Sequence, residues 1–459
     1  MSLKITHKYS TAAGTPPASG DIDVGEVAIN AADAELYIKD NAGNIRKFQN
    51  TTTGTADGVQ FTQSGSGAVQ RTVESKLKDV VSVKDFGAVG DGVTDDTAAI
   101  QAAVSYANSL GGAGVRIPAG TYKTSSAIEL LPYVQVIGSG SYATIIQGSG
   151  THAVFSVSGT LSNVKNSGKL ADLSIRGGSK TNASVRGINV EFSNRYIFEN
   201  IEIFNCYIGF YFSNNWQTEL KNIQIHGAGS DQSYIGFYGA EVDPLNQNNA
   251  VNAYNCTVQG VEKYGYRLIN FNGSKFSSCE ALDGEIGFYL GAPTTGTEPI
   301  RWGNFVNCLA DTNSLIGWRL ERGGATFFQQ CTFSNCWAGN SVKGWSISDA
   351  SLINISAPLV VGNPLGGGMT AGFELDRCSR MTVSGGSVYD YATVGVQLND
   401  CLYVNISGNH FYTTIGTPNK GLAEAGTSDY NIAFCNTFTN GATVVGANSK
   451  INTTTNNNV

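Results

Sequence analysis

Eleven glycines, each opening a tetrapeptide of the form Gly-apolar-x-apolar, constrain this chain more than any other feature. They are Gly187, Gly209, Gly236, Gly265, Gly287, Gly317, Gly344, Gly372, Gly395, Gly421 and Gly441, with successive gaps of 22, 27, 29, 22, 30, 27, 28, 23, 26 and 20 residues. Such bounded but irregular spacing describes one supersecondary unit repeated many times, its strand fixed and its connecting loops free to vary. The residue after each glycine is mostly large and apolar (Ile188, Phe210, Phe237, Tyr266, Phe288, Trp318, Trp345, Phe373), and so is the residue two further on (Val190, Phe212, Leu268, Leu290, Leu320, Ile347, Leu375). A period of two puts both columns on one face of a strand, towards the core. The position between them (Tyr211, Tyr238, Arg267, Tyr289, Arg319, Ser346, Glu374) then faces outwards.

A second register follows about half a repeat later, in Asn200-Ile201, Asn222-Ile223, Asn255-Cys256, Ser278-Cys279, Asn307-Cys308 and Asn335-Cys336. Two or more strands per repeat separated by turns predict an all-β solenoid, a parallel β-helix. Asparagines stacked at one turn can hydrogen-bond along the axis and satisfy polar groups there. At about 4.8 Å per coil, eleven coils make a rod of roughly 50 Å. Composition agrees: 14% of residues are charged, 56 of 459 are Gly and 10% are aromatic, a profile of short strands and tight turns rather than helices.

Nine cysteines are an odd number for a disulfide framework, and four of them (Cys256, Cys279, Cys308, Cys336) fill one column of the repeat. They read as small apolar core residues. With no Cys-x-x-Cys or His-x-x-x-His pair, no metal site is expected, and no cofactor motif is visible. A formal net charge of −7 argues against nucleic-acid and anionic-membrane partners. No apolar run is long enough to span a bilayer and no leader pattern opens the chain, so assembly in a cytoplasm without membrane insertion is expected.

Four segments follow in order. Residues 1–50 hold a strand pattern in Val24–Asn30, then a hairpin pattern in Glu35–Asp40 and Ile45–Phe48 around Asn41-Ala42-Gly43-Asn44. Residues 51–83 form a Thr/Gly/Ser-rich linker and a neck with one short helix or none. Residues 84–445 form the β-helix, with an alanine-rich cap helix over 94–110 that uses Thr94 as N-cap, places Asp95 and Asp96 in its first turn and plugs the open end of the solenoid. Residues 446–459 are a polar tail.

The stretch Asp85-Phe86-Gly87-Ala88-Val89-Gly90-Asp91-Gly92-Val93-Thr94-Asp95-Asp96-Thr97 resembles, almost letter for letter, the opening motif of the pectate-lyase-like β-helix superfamily. The resemblance implies a right-handed single-stranded parallel β-helix and leaves the chemistry open, because lyases, hydrolases and binding proteins share it. Val24–Asn30 followed by Leu36–Asp40, and the junction Ser75–Asp85, resemble the amino-terminal parts of bacteriophage tail fibres and tailspikes. That resemblance implies a homotrimer in the virion tail, assembled in the host cytoplasm. It implies anchoring to a tail or baseplate protein through residues 1–50 and a β-helix reaching a bacterial surface glycan.

Glycan cleavage on such a rod needs a groove, aromatic platforms and two carboxyl groups about 5 to 9.5 Å apart. The turns after the strands at Gly236, Gly287 and Gly317 are longer than in their neighbours and could wall a groove. Their acids Glu241, Asp243 and Glu298 are the candidate catalytic groups, one as acid with a burial-raised pKa and another as base or nucleophile. Trp216, Arg267, Tyr289, Trp302, Arg319 and Glu321 are the candidate sugar contacts. The competing reading is that the acids solvate exposed loops and the rod is a non-catalytic adhesin. A second acidic group, Glu280, Asp283 and Glu285, has no assigned place, and His226 has no identifiable partner.

Overall fold

The computed structural model describes residues 8–48, 56–227, 229–240, 248–269, 271–291, 300–322, 328–363, 368–414, 420–439, 443–445 and 457–458. The chain divides into two units, residues 1–79 and 80–459. In the first, Lys8–Ser10 runs parallel to Val27–Asn30, which pairs antiparallel with Glu35–Lys39 and that in turn with Ile45–Phe48. The expected strand and hairpin are present and gain a fourth strand. Asp40 closes the hairpin turn, its Oδ1 accepting the backbone N–H of Ala42 at 3.0 Å and of Asn44 at 2.8 Å. The buried apolar set is only Ile22, Ala28 and Tyr37, with Ile45 against them, a small core for an independent fold. A short helix, Val73–Leu77, is capped by the Thr72 side chain.

The second unit starts at Val80 rather than at residue 84, because Val80–Ser82 already pairs with Gly114–Arg116 and Val81 and Val83 are buried. The cap helix spans Thr97–Ser109, a later start than the predicted 94. Thr94 belongs instead to the strand Asp91–Asp95, where the Asp91 carboxylate takes the Val93 and Thr94 N–H groups, each at 2.8 Å. Asp96 is the residue at the N-cap, and its buried carboxylate turns back to accept the N–H groups of Val89 at 2.6 Å and Gly90 at 3.0 Å. Local hydrogen bonding of Asp side chains thus outcompetes the first helical turn. The helix buries Ile100, Ala103, Val104 and Ala107 in the core at the end of the solenoid.

Beyond it the chain winds through parallel strands stacked in register. From residue 208 three faces are distinct. Face A carries Ile208–Trp216, Ile235–Ala240, Tyr264–Ile269, Ile286–Gly291, Ile316–Glu321 and Lys343–Ser348; face B carries Asn252–Tyr254, Lys275–Ser277 and Asn304–Val306; face C carries Thr257–Gln259, Glu280–Leu282 and Leu309–Asp311. The glycine column has a steric cause. A Cβ on Gly265 would lie 2.7 Å from the carbonyl oxygen of Gly287 and 2.7 Å from Ala281 Cβ, and the other glycines from Gly187 to Gly395 likewise face the next glycine's carbonyl. Coils approach too closely there for any side chain.

Inside, aromatic rings stack along the axis: Phe237 on Tyr266 (4.8 Å between centroids), Tyr266 on Phe288 (4.5 Å), Phe288 on Trp318 (4.0 Å), Trp318 on Trp345 (4.8 Å) and Trp345 on Phe373 (5.7 Å). Each pair adds roughly 0.5–1.5 kcal/mol to its burial. Cys256, Cys279, Cys308 and Cys336 are free and buried, each thiol facing a carbonyl of the preceding coil at 3.4–3.6 Å. The asparagine turn forms the expected ladder: Asn222 donates to Asn200 at 3.0 Å, Asn255 to Asn222 at 2.9 Å and Asn335 to Asn307 at 2.8 Å. These residues hold φ near 51–55°, a left-handed backbone that Asn tolerates better than most side chains.

Candidate functional site

The strands Ile235–Ala240, Ile286–Gly291 and Ile316–Glu321, which precede the three long turns in the sequence, are parallel and end at the same edge of face A. Glu241 and Asp243, in segment 241–247, and Glu298, in segment 292–299, lie outside the described residues.

The outward column of face A is described throughout. Register pairs Tyr211 with Tyr238, Tyr238 with Arg267, Arg267 with Tyr289 and Tyr289 with Arg319, one residue per coil. The Arg267 guanidinium lies 4.6 Å from the Tyr238 ring centroid, 5.6 Å from Tyr264 and 6.0 Å from Tyr289. Arg319 lies 5.7 Å from Tyr289, and Arg186 lies 3.6 Å from Tyr211. Tyr207 and Tyr234 stack at 4.8 Å beside them. Burial holds the Tyr211 and Tyr289 phenols above their ordinary pKa, so both are neutral donors at physiological pH. The strip therefore combines flat rings, hydroxyls and fixed guanidinium groups, the functional groups that hold a sugar chain.

Of the six candidate sugar contacts, four converge here. Arg267, Tyr289 and Arg319 are consecutive in the column, and Glu321 pairs with Arg319 at 2.7 Å. Trp216 and Trp302 stand outside the column, Trp216 at the end of the strand Ile208–Trp216 and Trp302 directly after the strand Ile300–Arg301. Trp216 is half-buried and pairs across coils with Asn249. Trp302 is 59% exposed with φ 60°.

Face C carries a cleft that the repeat pattern did not reveal. It encloses about 690 Å³ between Phe204, His226, Asp231, Gln232, Gln259 and Asp283. His226 Nε2 lies 3.3 Å from Glu202 Oε2, and the imidazole stands edge-on to Phe204 at 4.4 Å. Glu202 also accepts from Tyr142, whose phenol it pushes up to about 12. Arg176 holds Asp231 at 3.1 Å. So His226 does have a partner, on the coil before its own. The acids Glu280, Asp283 and Glu285 do not converge: Asp283 lines this cleft and accepts from Gln259 at 3.3 Å, whereas Glu285 pairs with Lys263 at 2.7 Å. Among the described residues no group of three or more His, Cys, Asp or Glu could hold a metal ion, and no helix is long and apolar enough to cross a membrane.

Residues 80–160 match the family described as rhamnogalacturonase A/epimerase, pectate lyase-like. Mannuronan C5-epimerase AlgE3 of Azotobacter vinelandii is 32% identical over 146 residues, 28% of this chain and 8% of its own length. The tail spike protein of an Escherichia phage is 46% identical over 72 residues, 16% of this chain and 8% of its own length. The matched stretch thus spans less than a tenth of either relative. Among solved structures, tailspike protein 3 of bacteriophage CBA120 superposes with a TM-score of 0.63 at 15% identity, over 94% of this chain and 75% of that one, a likeness of fold. Opening motif, family match and coil architecture agree on a pectate-lyase-like parallel β-helix fold, in a chain of which one stretch is similar to a phage tail spike.

Proposed function

We propose that this chain is a virion tail protein that binds a bacterial surface polysaccharide along face A of its β-helix. The observation that carries this reading is the in-register column Tyr238, Arg267, Tyr289 and Arg319, which follows the buried Tyr211 and presents one ring or guanidinium every coil, about 4.8 Å apart. The likeness to a phage tail spike supports the location in a virion. In this reading residues 1–50 attach the chain to a tail or baseplate protein, 51–79 form the neck, 80–445 the glycan-binding rod and 446–459 a tail. Three copies assemble together in the host cytoplasm. Glu241, Asp243 and Glu298 are the proposed acid and base of a depolymerase, because in the sequence they follow the ringed-face strands Ile235–Ala240 and Ile286–Gly291.

The test is retention and cleavage of capsule and lipopolysaccharide preparations from a panel of bacteria by the full chain, with Tyr289→Ala and the carboxamide variants of the three acids in parallel. Retention weakened by Tyr289→Ala is the expected result, and oligosaccharide release lost in one carboxamide variant identifies the catalytic group. Retention untouched by Tyr289→Ala would remove face A as the binding surface. Retention without release would leave the three acids without a catalytic role.

A further inference from the structure

Face A carries five described cations near its ringed column, and four have a carboxylate. Arg186 pairs with Glu191 at 3.4 Å, Lys263 with Glu285 at 2.7 Å, Arg319 with Glu321 at 2.7 Å, and Lys343 with Glu374. Arg267 has no carboxylate among the described residues. Its Nε is buried without any acceptor, and among the described residues its charge faces the rings of Tyr238, Tyr264 and Tyr289. Those rings also fix the guanidinium in place, which lowers the entropy cost of forming a two-pronged contact.

We propose that the glycan held on face A is acidic, with a sugar carboxylate seated on Arg267 and the sugar chain running along the axis of the rod. The proposal rests on the glycan-binding reading above and narrows it to a substrate class. A planar carboxylate matches the guanidinium fork in two parallel hydrogen bonds. Arg319 repeats the cation two coils on, about 9.6 Å away, a separation on the order of a disaccharide in an extended polymer. Glu321 already neutralises Arg319 with the pair about one-third exposed, so this second position accepts sugar hydroxyls as readily as charge. Tyr289, between the two arginines, meets the intervening sugar. The acid therefore belongs at one subsite, with an uncharged sugar next to it, rather than on every unit of the polymer.

An array of bacterial capsular and O-antigen polysaccharides, acidic and neutral, tests this with the full chain, alongside hyaluronan, polygalacturonate and their carboxyl-reduced forms. The bound members are expected to carry carboxylates, and carboxyl reduction is expected to weaken retention by about tenfold or more. Hyaluronan, acidic on alternate sugars, is expected to be retained better than polygalacturonate, acidic on every sugar. Arg267→Gln should produce the same loss as carboxyl reduction and no further loss on reduced glycan, while Arg267→Lys should retain part of it. Added salt should weaken the acidic complexes only. Retention of neutral or carboxyl-reduced glycans as strong as of the acidic ones overturns the inference and leaves the binding role intact. So does an Arg267→Gln chain that still discriminates. Failure to retain any member of the array refutes the binding role and this inference together.

Discussion

Replacing Gly265 by alanine tests the steric account of the fold directly. The backbone there is not left-handed, so the whole effect is spatial. The new methyl carbon would lie 2.7 Å from the Gly287 carbonyl oxygen and 2.7 Å from Ala281 Cβ. Both contacts fall about 0.7 Å short of ordinary van der Waals separation, one against backbone and one against a side chain with no rotamer to change. Relief requires the coils containing Tyr264–Ile269 and Ile286–Gly291 to part locally, stretching the hydrogen bonds between them. Overpacking of this kind costs about 1–3 kcal/mol, and the immovable carbonyl argues for about 2–3 kcal/mol. For a unit of about 380 residues melting as one, the corresponding fall in Tm is about 3 °C. Coils interact mainly with their neighbours, so hydrogen exchange is the sharper assay. Amides of Tyr264–Ile269 and Ile286–Gly291 should exchange about 30-fold faster or more, while those of Gly120–Thr124 do not change. Gly114→Ala is the control, since nothing lies within 4 Å of its added methyl. Equal melting and equal exchange in the two variants would refute the argument that coil approach selects glycine.

Three other outcomes follow from the same structure. A thiol reagent should label one cysteine of the native chain, the exposed Cys435, and all nine after denaturation; burial pushes the Cys206 and Cys331 thiols up to about 12 and protects them further. Asn222→Ala removes two ladder hydrogen bonds at 3.0 and 2.9 Å and leaves a Cβ residue at φ 53°, so thermal melts should show a loss of about 1–3 kcal/mol, with Asn222→Gly about 1 kcal/mol milder. Hydrogen bonds from Ser125 and Thr97 depress the Asp95 carboxyl from 3.8 to about 2; its contribution is complete above about pH 3.8 and lost as pH falls towards 2. The stability gap between wild type and Asp95→Asn should therefore close over that interval in an acid titration followed by circular dichroism.

The features that repeat were legible in the sequence, and the features that do not repeat were not. Gly265, Asn222, Cys279 and Trp318 each stand in a column whose other members share their chemistry, so one alignment of the chain against itself gave the strands, the turn and the core. The cap helix has a single copy. Its start was misjudged because Thr94 offers the pattern of an N-cap while the carboxylates of Asp91 and Asp96 engage the backbone of the preceding loop. His226 and Glu202 meet across one coil at a separation of 24 residues, and with gaps that range from 20 to 30 no fixed offset could have paired them. The convergence of Arg267, Tyr289, Arg319 and Glu321 was legible for the opposite reason: they occupy consistent positions after their glycines. Trp302 follows an irregular turn, where counting loses register, and Trp216 ends its strand beyond the glycine tetrapeptide.

Because each column residue stacks on its counterparts on the adjoining coils, the rod behaves as a tape that can be cut between repeats. Excising residues 264–285 would join Lys263 to Ile286, bringing Phe237 onto Phe288, Cys256 onto Cys308 and Tyr238 onto Tyr289, so every interior neighbour is replaced by one of its own kind. Only Arg267 would disappear from the outer column. Reach and selectivity are thus inherited separately in this architecture: a lineage can lengthen or shorten the appendage by whole coils, or rewrite its outer column, without renegotiating the interior.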